Sequence, residues 1–139
     1  LVILRAELAA DVKLPAPVSV RIPASSGGPA AVAYSSTASG DLLNLEYEPE
    51  TAGERINVKL EVPQRYFHVE YYDPIPTSTA ARSYTHVWSG DLATDRLTVI
   101  VQEPAGVLDM VATPALQVSG PPKSPRSSTE VSEPPVVEL

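Results

Sequence analysis

The chain has 139 residues, about the length of one domain, and 43% of them are hydrophobic. Its formal net charge is −7, and its ten basic residues are scattered. Because binding to nucleic acid needs clustered Lys and Arg, that class of partner is disfavoured. The absence of cysteine excludes structural disulfides, thiolate metal sites and cysteine nucleophiles. No stretch is long and apolar enough to predict a membrane span.

The first half of the chain reads as strands separated by turns. Leu1–Leu8 fits both helical and strand spacing, and we favour a strand because Pro15 and Pro17 limit any helix. Val18–Ile22 alternates apolar and polar residues and is closed by Pro23. A turn, a short strand, a polar turn, a strand and an acidic loop are then expected at Ser25–Pro29, Ala30–Tyr34, Ser35–Asp41, Leu43–Tyr47 and Glu48–Glu54.

The clearest signal is the strict alternation of apolar and polar residues in Arg55–Val62. Successive side chains of a strand point to opposite faces, so this pattern predicts strands with one wet and one dry face. Similar runs follow at Tyr66–Tyr72, Tyr84–Trp88 and Leu97–Gln102, and short strands are expected at Leu108–Thr113 and Ala115–Val118. We therefore predict an all-β fold in residues 1–118, an antiparallel β-sandwich with immunoglobulin-like layers.

From Ser119 the composition changes, and residues 119–139 are predicted to be an extended Pro-rich tail or linker. Ser119–Pro135 contains five prolines and five serines, a composition that buries too little apolar surface to order itself. The apolar end, Val136, Val137 and Leu139, is our candidate for a tail contact. The alternative is a linker that packs against its own domain.

Two strands carry the densest set of aromatic and ionisable side chains, and we expect them to form a hairpin around the long loop Asp73–Arg82. The candidate binding residues are Tyr66, His68, Glu70, Tyr72, Tyr84, His86 and Trp88. If Glu70 faces Tyr84, the two histidines oppose each other, as do the first tyrosine and the tryptophan. A slip of one residue would destroy this face.

Three interpretations of this face stay open. The first is an aromatic ladder that stabilises the sheet, at roughly 0.2–1 kcal/mol for each cross-strand pair. The second is a binding surface for carbohydrate or protein, since Tyr and Trp offer rigid area with polar handles. The third is a zinc site of His68, His86 and Glu70. No local ligand motif supports the third, so we predict no metal and no cofactor.

Motifs for catalysis are missing from the sequence. There is no G-x-S-x-G elbow, and Gly27-Gly28 precedes Pro29, which lacks the N–H that a phosphate loop uses. Asp91 and Asp95 lie four residues apart in a turn, too few carboxylates for calcium, and fit turn formation better. We expect a protein that is not an enzyme.

Three segments, Pro15–Tyr34, Val69–Pro74 and Tyr84–Asp91, resemble uncharacterised extracytoplasmic β-sandwich domains of bacterial envelope proteins. The resemblance extends over Leu1–Pro114 and implies a fold and a location outside the cytoplasmic membrane, and it implies no functional residues. In such domains a strand usually precedes the equivalent of Leu1. The chain also lacks an initial methionine, so we expect that something upstream has been removed.

These observations favour a structural or protein-interaction module of the bacterial cell envelope, such as a subunit of an extracellular assembly or filament. Sheet edges and the tail would contact protein partners, copies of the chain included, because an edge accepts an extended segment through backbone hydrogen bonds. The alternative is a carbohydrate-binding module that holds a glycan with its exposed rings: Tyr66, Tyr72, Tyr84 and Trp88.

Overall fold

The computed structural model describes residues 1–76, 81–89, 92–102, 109–116, 129–131 and 136–138. Two compact units divide the chain, Leu1–Pro74 and Ile75–Leu139. All strand pairs are antiparallel, and no α-helix occurs in these ranges. The predicted all-β class is therefore confirmed. The predicted domain boundary between residues 118 and 119 stays a prediction.

Within the first unit, seven strands form two antiparallel sheets, as predicted for a sandwich. In chain order they are β1 (Val2–Glu7), β2 (Ala16–Pro23), β3 (Ala31–Ser35), β4 (Leu43–Asn44), β5 (Tyr47–Ala52), β6 (Arg55–Val62) and β7 (Tyr66–Tyr71). One sheet has the order β1-β7-β3-β4 and the other has the order β2-β6-β5. Among the described residues, no helix has the length and apolar character that a membrane crossing requires.

The described part of the second unit contains four short strands in two separate pairs. They are β8 (Thr85–Val87), β9 (Leu97–Val99), β10 (Thr129–Val131) and β11 (Val136–Glu138). β8 pairs with β11, and β9 pairs with β10. Of the strands predicted at 108–113 and 115–118, the described part, 109–116, contains only an isolated bridge at Thr113. That prediction is wrong there, because short apolar runs do not by themselves supply a pairing partner.

The core of the sandwich follows the period-two pattern of the sequence. On the middle strand β6, four alternate side chains are buried, and the facing positions of β2 are buried as well. On β7, which lies between β1 and β3, the buried alternate set is Phe67, Val69 and Tyr71. Every fully buried hydrophobic side chain of the described residues lies between Ala16 and Tyr71. Burial of these apolar surfaces drives the sheets together.

The segment predicted as an acidic loop, Glu48–Glu54, is mostly a strand. Its residues up to Ala52 belong to β5, and Gly53 at φ +61° turns the chain into β6. All six side chains of β5 are exposed. No alternation of buried and exposed side chains therefore identifies this strand. The strand exists because its backbone is hydrogen-bonded to β6. The preceding strand is correspondingly shorter than predicted and ends at Asn44.

The predicted hairpin between Tyr66–Tyr72 and Ser83–Ser89 is wrong. β7 has β1 on one side and β3 on the other, so both of its hydrogen-bonding edges are occupied. β8 pairs instead with β11 near the end of the chain. Closeness in sequence favoured the hairpin, but β1 and β3, which lie far from β7 in the chain, compete for its two edges and occupy both of them.

Candidate functional site

The predicted binding residues of β7 lie on the face of the strand opposite to Phe67, Val69 and Tyr71. His68 is buried there, with only 6% of its side chain exposed, and its Nε2 lies 2.6 Å from Oε1 of Glu70, which is 28% exposed. His68 is flanked across the sheet by Arg5 and Ala33. A ring this well covered cannot present itself to a large ligand, so its contact with Glu70 is best understood as structural.

Tyr66 stands at the start of the same face and is tied to β1. Its hydroxyl donates to Glu7 Oε1 at 3.1 Å, and Glu7 is its direct cross-strand neighbour. This hydrogen bond raises the pKa of Tyr66 above its usual value, and desolvation and the negative charge of Glu7 act in the same direction. The contact fastens one end of β1 to β7, so this tyrosine has a structural partner.

The remaining predicted residues fall elsewhere. Tyr72 follows the end of β7 and is exposed. In the second unit, His86 lies on β8 opposite Val137, between Tyr84 and Trp88, and all three side chains are half-buried. Because β7 and β8 are not partners, the expected register does not form, and the seven residues do not share one face of a hairpin.

The acidic and histidine residues do not assemble into a metal centre in the part of the chain described. No group of three or more His, Cys, Asp or Glu side chains with suitable spacing occurs there. His68 and His86 were paired only through the hairpin, which does not form. Of the two aspartates in the turn at Ser89–Asp95, Asp91 lies outside the described residues, and Asp95 is exposed.

The apolar end of the tail forms a strand with its own chain. Val136 and Val137 belong to β11 and are paired with Val87 and His86 of β8. Leu139 and most of the Pro-rich segment lie outside the described residues. The sequence Val136–Glu138 is thus competent to pair as a strand, and its contact with another molecule stays a prediction.

Three prolines mark the outer edges of the sheet β2-β6-β5. Ala24 N–H donates to the Glu54 carbonyl at 2.8 Å, one pair beyond the ladder of β2 with β6. Hydrogen-bonded pairs alternate along antiparallel strands, so the even residues of β2 bond to β6 and the odd ones, including Pro17 and Pro23, point outward. By the same alternation Pro49 points outward from β5. Proline has no N–H, so each of these prolines removes one outward donor and interrupts its edge for another strand.

β5 is protected by charge as well as by proline. Glu50 forms an ion pair with Lys59 of β6, and both side chains are more than half exposed. The hydrogen bond and the charge of Lys59 lower the pKa of Glu50, and Glu50 raises the pKa of Lys59 in return. Exposed charges along an edge strand discourage addition of another strand, and β1 likewise exposes two charged residues, Arg5 and Glu7. Proline, which β1 lacks, is therefore what distinguishes the β5 edge from it.

In the two sheets of the first unit, β1 is the long outer strand without proline; β4, the other outer strand of its sheet, also lacks proline but has only two residues. Leu8 N–H donates to the Arg65 carbonyl at 2.8 Å, which continues the β1–β7 ladder, so the even residues of β1 face β7. The backbone N–H and C=O groups of Ile3, Arg5 and Glu7 therefore point outward. No described strand pairs with this side of β1, and no proline interrupts it. The edge offers a complete set of donors and acceptors over the whole strand.

Apolar side chains accompany this edge. Leu1 is 63% and Ile3 is 41% exposed, although both belong to an apolar run. The sequence contains one feature that distinguishes these edges, because prolines occur in β2 and β5 and are absent from β1. Which strands are outermost cannot be read from the sequence.

Searches against family models, curated proteins and solved structures found no match to this chain.

Proposed function

We propose that this chain is a non-catalytic protein-interaction module of the bacterial cell envelope, located outside the cytoplasmic membrane, that binds partners through strand edges. The observation that carries the proposal is the outer edge of β1, which contains no proline and keeps all of its outward donors and acceptors. The outer edges of β2 and β5, in contrast, are interrupted by proline. The resemblance to extracytoplasmic sandwich domains supports the location. The net charge of −7 supports a protein partner over nucleic acid.

Binding at this edge follows the chemistry of strand addition. An extended segment laid beside β1 accepts hydrogen bonds from the outward N–H groups of Ile3, Arg5 and Glu7 and donates to their carbonyls. Exposed Leu1 and Ile3 supply apolar contacts that the backbone bonds lack. The backbone thus provides affinity, and alternate side chains provide selectivity.

The tail is the second contact element of the proposal. Val136–Glu138 already pairs as a strand with Thr85–Val87. The same pairing made between two molecules would join copies of the chain into a larger assembly, since exchange of an identical element between protomers reuses existing contacts. Contacts at β1 and at the tail would then let one subunit hold two neighbours.

Site-specific photo-crosslinking in a bacterium that exports the chain tests the function. A photoreactive phenylalanine analogue replaces Ile3 on the β1 edge or, as the matched control, Ser19 on the outward positions of β2 between two prolines. We expect discrete protein adducts from position 3 and none from position 19. Equal adducts from both positions, or none from position 3, would contradict an interaction through β1.

A further inference from the structure

We infer that the partner of the β1 edge is β1 of a second copy, paired antiparallel about a twofold axis at Leu4. This inference rests on the proposed function and names its partner. The edge is self-complementary, as a twofold interface requires, because each copy presents the same row of donors and acceptors. The two four-stranded sheets would join into one continuous sheet across the dimer.

The hydrogen-bonding groups fit this arrangement. With the two Leu4 residues facing each other, Ile3 of each copy lies opposite Arg5 of the other. Both residues have outward N–H and C=O groups, as the Leu8–Arg65 bond establishes. They therefore form hydrogen-bonded pairs that exchange two bonds each, while the Leu4 pair is of the non-hydrogen-bonded kind.

Side-chain charges and a neighbouring contact disfavour the registers centred on Arg5 and on Ala6. A register centred on Arg5 would place two guanidinium groups directly opposite each other, which is destabilising. A register centred on Ala6 would bring the second strand onto residues 8–10, where Arg65 holds the carbonyls of Ala9 and Ala10. The register about Leu4 meets neither obstacle, because it leaves residues 8–10 uncovered and places no like charges directly opposite each other.

The same register covers the exposed apolar surface. Ile3, which is half open to solvent, receives the aliphatic stem of Arg5 from the other copy, because long charged side chains lay their methylenes on apolar neighbours and keep the charge in water. Leu1 is brought opposite Glu7 at the end of the pairing.

A proline substitution tests whether the purified chain dimerises at this edge. Arg5→Pro removes one outward N–H without touching the bonds to β7, and Ser19→Pro makes the same change on the outer edge of β2. By sedimentation equilibrium we expect twice the 14.8 kDa chain mass for the unaltered protein and for Ser19→Pro, and loss of the dimer for Arg5→Pro. Circular dichroism confirms that each variant is folded. An Arg5→Pro variant that remains dimeric, or an unaltered chain that is monomeric at millimolar concentration, would overturn the inference.

Cysteine substitutions read the register directly, since the chain has no cysteine of its own. Residues facing each other in a non-hydrogen-bonded pair have Cα atoms about 4.5 Å apart, within reach of a disulfide. Under mild oxidation we expect Leu4→Cys to form a covalent dimer and Ala6→Cys to stay reduced. The reverse result would refute the register. A monomeric purified chain that still gives crosslinked adducts of other masses from position 3 would refute self-pairing and leave the proposed function standing.

Discussion

Removing two methyl groups from the centre of the sandwich should destabilise it measurably. Val69 is fully buried on β7, between Leu4 of β1 and Val32 of β3. Val69→Ala deletes two methyl groups, and the loss of burial costs about 0.8 kcal/mol of stability for each. The cavity that remains adds to this, because a packed core relaxes only in part, so the expected loss is about 2–3 kcal/mol. That is a large part of the roughly 5–15 kcal/mol that holds a typical domain folded.

Urea unfolding followed by circular dichroism measures this loss. With a slope of roughly 1–3 kcal/mol per molar urea, the midpoint should fall by about 1 M with the slope unchanged. The matched control is Leu43→Ala on β4 of the same sheet, which removes more carbon from a side chain that is 54% exposed. Its expected cost is below about 1 kcal/mol. If both variants lose equal stability, the inward-facing set of β7 is not the core, and the reasoning fails.

Three further predictions follow from the described contacts. Glu7→Ala, which removes both the acceptor and the negative charge, should bring the raised pKa of Tyr66 back towards 10.0, as measured by ultraviolet titration. In the unaltered chain the stabilising contribution of this contact is complete below the usual pKa of tyrosine and is lost as the pH rises through the folded-state pKa. Gly53→Ala should cost about 1 kcal/mol through φ +61° alone, because no atom crowds the added methyl, so an unchanged melting temperature would contradict it. Deletion of Pro134–Leu139 should leave a folded dimer and remove the larger species that the unaltered chain forms above the concentrations at which it is dimeric, and larger species that survive the deletion in sedimentation would exclude the tail as a contact.

The candidate edge could be predicted from the sequence only in part. Prolines at positions 17, 23 and 49 are visible in the sequence, and so is their absence from residues 2–7. Their meaning depends on which strand lies outermost and which N–H groups point outward, and these follow from the pairing of β2 and β5 with β6 and of β1 with β7. The seven-residue aromatic face failed for the same reason, because it required a partner for β7 that alternation cannot specify.

Local sequence determined the faces of the strands. In Arg55–Val62 and Val18–Ile22 the alternation of apolar and polar residues assigned each side chain to its side, and the burial of β2 and β6 agrees. Tertiary structure decided the neighbours: β7 lies between β1 and β3, and the wholly exposed β5 is a strand only through its bonds to β6. The physical reason is that side-chain direction is a property of one strand, whereas hydrogen-bond partners are chosen by competition among all strands for the same backbone groups.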